Sequence, residues 1–158
     1  MKTRPAAKGA MRRAIFAALP KSDLHLHLDG SLRLATLIEL AGAKGVQLPS
    51  MTEEGLLQAV FKRTYRNLPE YLKGFEFTVA CLQDPESLER VAYELCLDCR
   101  AENVFYVEIR FAPQLHANGS FTVREVLKAV SLGIERAKRE INRSEEHTSE
   151  LQSPYVIS

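Results

Sequence analysis

His25 and His27 stand two residues apart in the stretch Asp23-Leu24-His25-Leu26-His27-Leu28-Asp29-Gly30-Ser31. Strict alternation of polar residues with leucine is the two-residue period of a β-strand. On such a strand Asp23, His25, His27 and Asp29 project from one face, and Leu24, Leu26 and Leu28 from the other. Same-face neighbours lie about 6.5 Å apart at strand rise. From that span two imidazoles can converge on one cation at roughly 2.0–2.1 Å. Metal ligation is therefore the preferred role for His25 and His27; the alternative is a pair of structural histidines satisfied by other hydrogen-bond partners. Two ligands do not complete a site, because catalytic zinc usually takes a third protein ligand and a water.

Other residues carry weaker signals. Asp29 suits a substrate hydroxyl or the orientation of a ligand histidine, against the plainer role of an Asx turn before Gly30. Asp23, at the far end of the strand, is read as structural. Glu108 and Arg110 share a strand face and suit an interior ion pair better than catalysis, since no nucleophile or base lies beside them. His116 falls in a loop, where it either reaches the mouth of a site or stands exposed and idle. His147, in the polar tail, carries almost no weight. Cys96 and Cys99 have redox-motif spacing, yet they lie on a helical pattern without a second pair, which favours packing. No histidine has glutamate two residues on and no proline precedes Cys96, so the H-x-E, P-C-x-x-C nucleobase deaminases are not matched.

The elements that must position these groups alternate between the two periods. A short apolar run, residues 14–19, reads as a helix leading into the first strand, preceded by a loose basic arm over residues 1–13, in which Met11 is an alternative start. Leu34, Leu37, Ile38 and Ala41 repeat at helical spacing until Gly42 and Gly45. Ser50 and Glu53 have capping-box spacing before a stripe of Leu56, Leu57, Val60 and Phe61. Residues 63–69 read as a break, residues 70–82 as a helix, and Asp84-Pro85 as the cap and first turn of another helix reaching about Glu102. Residues 104–111 return to strand period, with Phe105, Val107, Ile109 and Phe111 on one face and Tyr106, Glu108 and Arg110 on the other. Thr122 and Glu125 cap a last helix to about Ile141. Two strands, each with one apolar and one polar face, fit a barrel with a polar interior. Residues 143–153 have no apolar period, so the third strand such a unit should supply is not expected.

The 158 residues are 46% hydrophobic and 26% charged with a formal net charge of +1, the composition of one globular domain. That balance points to a small-molecule partner and away from nucleic acid or an anionic membrane. No apolar run approaches the ~20 residues of a membrane span. Three cysteines without an export signal suggest a reducing, cytoplasmic setting.

Residues 19–33, the helix from Asp84 to Glu102 and the strand at residues 106–113 together resemble the metal-dependent adenosine deaminase family, over about residues 14–142. The resemblance implies an α/β fold, the N-terminal portion of a (β/α)8 TIM barrel. It implies one zinc, with His25 and His27 as ligands, and a purine nucleoside contacted by Asp29 and His27. It also implies a lid between Ser50 and Leu68, with Phe61 as a wall. Zinc-assisted attack of water at C6 of adenosine or deoxyadenosine would release inosine, or its deoxy counterpart, and ammonia. The family's third zinc histidine, acid/base glutamate, second catalytic histidine and late aspartates belong to the second half of the barrel, so no catalytic residue is assigned within this chain, and the chain alone is expected to be inactive. Residues 143–153 resemble a translated sequencing-library adapter, which makes 143–158 a non-native or disordered tail. Rival expectations are another H-x-H amidohydrolase, an H-x-H phosphoesterase, or a non-catalytic metal-binding half-barrel.

Overall fold

In the computed structural model, which describes residues 5–145 and 155–157, a parallel sheet is covered on one side by helices. Helix α1 (Pro5–Ala18) leads into β1 (Lys21–His27), and then come α2 (Leu34–Lys44), α3 (Glu53–Ala59), α4 (Leu68–Cys81) and α5 (Pro85–Ala101). Strand β2 (Val104–Arg110), a short 3-10 turn (Pro113–Leu115), α6 (Val123–Glu145) and β3 (Tyr155–Ile157) complete the chain. The sheet order is β1-β2-β3, with both pairings parallel.

Several boundaries differ from the sequence expectation for local reasons. Helix α1 starts at Pro5, inside the supposed loose arm, because alanine, lysine, arginine and methionine are good helix formers. Gly42 lies within α2, and the left-handed Gly45 (φ 68°) ends it. Thr52, not Ser50, caps α3 by accepting from the Gly55 amide. Helix α4 begins before the expected break ends: Asn67 caps it, and Pro69 sits in its first turn, where a missing amide proton costs nothing. The caps at Asp84 and Thr122 hold as expected.

The third strand is a correction. Tyr155, Val156 and Ile157 pair with Val107, Glu108 and Ile109, so β2 is central and not an edge. Three residues are too few to show a period, but aromatic and β-branched types suit a strand, and the open side of β2 offers backbone partners. Most of the tail, including His147, lies outside the described residues.

The alternation in β1 is also interrupted. Asp23 pairs with Val107 and Leu26 with Ile109, so Leu24 and His25 together oppose Glu108 in a β-bulge. The Asp23 carboxylate accepts from the His25 amide at 3.0 Å within this bulge. Leu24 is thereby turned out, 58% exposed, while Leu26 and Leu28 still pack into the core. Asp23 falls in register with buried Val107, away from the histidines, and its charge helps raise the Cys99 thiol. A second irregularity at the start of β2 buries Val104 and leaves Phe105 half-exposed beneath the Arg100 guanidinium.

The main core lies between the sheet and helices α5 and α6, with Leu88, Val91, Leu95 and Cys96 meeting Val126, Val130, Ile134 and Ala137 under Val107 and Ile109. Burial pushes Cys96 up to about 12 and Cys99 to about 11, which keeps both thiols protonated and agrees with packing rather than redox chemistry. A smaller cluster of Leu37, Ala41, Leu56 and Cys81 joins α2, α3 and α4. Helix α2 is fixed to α5 by polar links: Thr36 donates to the buried Glu94 at 2.6 Å, Arg90 bridges Glu39 and Glu94, and Arg33 forks onto Asp98.

The α5–α6 crossing depends on Gly133, where a Cβ would overlap the Glu89 carbonyl oxygen and meet the Ala92 methyl at 3.0 Å. Gly133→Ala should therefore destabilise the fold by about 1–3 kcal/mol despite alanine's better helix propensity. At Gly42 the nearest atom to a new Cβ would be Met51 Cε at 3.9 Å, and Gly42→Ala should be neutral or stabilising by about 0.5–1 kcal/mol. Parallel thermal melts decide this, and equal melting temperatures for the two variants would contradict the tight crossing.

Candidate metal and ligand site

The C-terminal end of β1 brings the two histidines together. Their Nε2 atoms lie 3.2 Å apart and their ring centroids 5.1 Å apart. Two nitrogens bound to one tetrahedral zinc at about 2.0–2.1 Å are themselves ~3.3 Å apart, so the pair fits as two ligands of one ion. The same distance accommodates an Nε2–H···N hydrogen bond when one ring carries the proton. Among the described residues no group of three or more His, Cys, Asp or Glu side chains is placed to hold a metal. A complete coordination shell needs donors beyond these two.

A tight turn follows β1. Ser31 Oγ donates to the His27 carbonyl at 2.6 Å, and the Leu28 amide donates to the Arg110 carbonyl at 2.9 Å, tying the turn to β2. Asp29 is only 5% exposed, and its Oδ1 lies 3.9 Å from His27 Nδ1, too far for a hydrogen bond. Gly30 lets α4 approach, since a Cβ there would meet the Phe75 ring at 3.2 Å. Phe75 stands edge-on to His27, with ring centroids 6.4 Å apart, and Tyr71 and Tyr65 extend the aromatic row outward at 5.6 and 5.1 Å. Phe61, expected as a wall, packs against Gly74 and the cluster around Leu56. The role of Phe75 beside His27 was not anticipated; its signal was the four-residue spacing from Tyr71, and Gly30 in the turn after β1 allows the approach.

His116 is the larger correction. It is wholly buried, not exposed and idle, with Nδ1 3.1 Å from the Leu82 carbonyl and Nε2 4.0 Å from Asp29 Oδ2. Burial lowers its pKa, while the Leu82 contact and the Asp29 charge oppose that shift. Glu108 and Arg110 form the expected ion pair at 3.0 Å, and Tyr106 donates to Glu108 at 3.2 Å. Among the described residues, the buried side-chain polar atoms without a hydrogen-bond partner are Asp29 Oδ1, Arg110 Nε and His116 Nε2. All three belong to the ends of β1 and β2 or to the loops that follow them.

Parallel strands, covering helices and polar groups gathered where the strands end are the arrangement of the first part of a TIM-type barrel. The match with solved structures supports this. An Arabidopsis ADAL structure complexed with IMP aligns over 90% of this chain and 40% of its own, with a TM-score of 0.62 and 28% identity. A zinc-bound amidohydrolase from Burkholderia ambifaria aligns over the whole chain at a TM-score of 0.67, with 22% identity, and shares the fold. The family model for adenosine deaminase matches residues 20–146. An adenosine deaminase of Clostridium perfringens is 46% identical over 121 residues, and a probable adenosine deaminase of Dictyostelium discoideum is 40% identical over 121. The chain belongs to the adenosine deaminase family. It spans 36% of the length of that Clostridium relative. No described helix is long and apolar enough to cross a membrane.

The α4 support for Phe75 has a pH signature. Glu70 accepts from the Arg66 amide at 2.7 Å and from Lys62 at 3.0 Å, which lowers its pKa from 4.5 to about 2. Because the folded value is depressed, its contribution is present above pH 4.5 and is lost as pH falls towards about 2. Glu70→Gln should lower the melting temperature at pH 7 and match the parent protein near pH 2; a pH-independent difference would contradict the charge-assisted role.

Proposed function

We propose that the complete barrel carrying this segment is a zinc-dependent hydrolase that deaminates adenosine or deoxyadenosine, and that this chain supplies the first part of its site. The observation that carries the proposal is the convergence of His25 Nε2 and His27 Nε2 to 3.2 Å at the end of β1, in a chain of this family. Family membership favours this over the phosphoesterase expectation. The IMP held by the Arabidopsis neighbour supports a purine ligand.

In this proposal His25 and His27 hold the metal through Nε2. When bound, the metal supplies the Lewis acidity that makes water a nucleophile near neutral pH. Asp29 offers a buried, unpartnered carboxylate oxygen beside His27, suited to accept from a hydroxyl of the nucleoside. Phe75 stands edge-on to His27 and gives the site an apolar neighbour on the α4 side. The proton-transferring groups lie outside this chain, which alone is expected to be inactive.

The test is zinc content and loss of adenosine absorbance in the full-length protein. Replacing both His25 and His27 by alanine should abolish stoichiometric zinc and cost roughly a thousandfold or more in kcat. Asp29→Asn should retain zinc and raise KM about tenfold or more, the scale of a hydrogen bond to a charged group. A zinc-loaded full-length protein that turns over neither adenosine nor any other 6-aminopurine would overturn the proposal.

A further inference from the structure

His116 is a buried imidazole that the proposed chemistry leaves without a role. Its Nδ1 faces the carbonyl of Leu82, and a carbonyl only accepts, so Nδ1 carries the proton. That fixes the ring and aims Nε2 at the Asp29 carboxylate 4.0 Å away. The seat is rigid. Gln83 donates to the Leu115 carbonyl at 3.0 Å, Asn118 donates to the Gln83 carbonyl at 3.0 Å, and the Phe111 ring lies 5.9 Å from the imidazole. The loop after β2 is thus pinned to the junction between α4 and α5.

Asp29 stands between two imidazoles, 3.9 Å from His27 and 4.0 Å from His116, and is within hydrogen-bond distance of neither. Two buried atoms here, Asp29 Oδ1 and His116 Nε2, have no partner. Both are acceptors, because Nδ1 holds the His116 proton, so neither satisfies the other; leaving them unpaired is costly, and a water, with two protons to donate, can answer the imidazole and the carboxylate together.

We propose that His116 is a positioning residue of the site: anchored on the Leu82 carbonyl through Nδ1–H, its Nε2 accepts from a water that also donates to the Asp29 carboxylate, and through that water it holds the carboxylate beside His27 and acts on the ligand. The order of groups is then a backbone carbonyl, His116, a water, Asp29 and His27, longer than the usual support of a ligating histidine. Only the activity readout below rests on the deaminase proposal.

The direct test is side-chain nitrogen NMR of the full-length protein. His116 should show a protonated Nδ1, and Asp29→Asn should shift its Nε2 resonance while the Nδ1–H signal stays. An Nε2 resonance indifferent to Asp29→Asn would overturn the proposal, and this comparison needs no His116 variant to fold. For activity, His116→Asn keeps a donor towards Leu82 but removes Nε2, and kcat/KM should fall roughly 10- to 100-fold, mainly through KM. In an Asp29→Asn background the same change should add little. An equal penalty in both backgrounds, or a lower melting temperature with unchanged KM, would mean a structural role only. If the protein proves not to be a deaminase, the coupling seen by NMR still decides the role of His116.

Discussion

Parallel hydrogen bonding between β1 and β2 is the constraint to which the other elements answer. A parallel pair cannot be closed by a tight turn, so the chain must leave β1, travel through α2 to α5, and return to start β2 beside it. The helices on that path cover the apolar side of the sheet, and α6 completes the cover. The opposite side keeps Tyr106, Glu108 and Arg110 together with the two histidines. One pairing thus separates an oily face from a polar one and sets both strand ends at the same level.

The bulge in β1 adjusts this arrangement. With Leu24 and His25 opposite a single residue, the strand twists more sharply than a regular one. Leu24 loses its place in the core, a cost of roughly 1.5–3 kcal/mol relative to full burial. The same segment brings the two ring nitrogens to 3.2 Å. The bulge thus gives up the burial of one leucine where polar side chains converge, so local stability and the placement of those side chains are set against each other.

The sequence showed the periods more clearly than their interruptions. Helix α5, with its Asp84 cap and Pro85, and the buried alternation of Val107 and Ile109 were legible because a repeated pattern and a specific cap agree. The pairing of His25 with His27 was legible for the same reason. The bulge was not, because nothing in perfect alternation announces an extra residue. Asp23 was consequently placed with the histidines when its register partner is Val107. Of the two roles offered for His116, site mouth or idle loop, the sequence could not choose, because its burial comes from contacts with Leu82 and Asp29, both distant in sequence. Phe75 lies within the helix expected at residues 70–82, but only the approach permitted by Gly30 brings it to His27, a contact no helical spacing announces.

The two ends of the sheet differ in how fully their polar groups are committed. Where the strands begin, Lys21 Nζ donates to the carbonyls of Phe16, Ala17 and Leu19, its amide donates to Asn103, and Asn103 in turn donates to Ala17. Where they finish, Asp29, Arg110 and His116 each keep a buried atom unanswered. Saturation at one end and deficit at the other give the sheet a chemical direction. Any ligand that answers those atoms repays part of the fold's own desolvation cost, so its binding and the protein's stability are linked quantities. Variation at the finishing end can therefore alter what is bound while the saturated end goes on holding the strands in register.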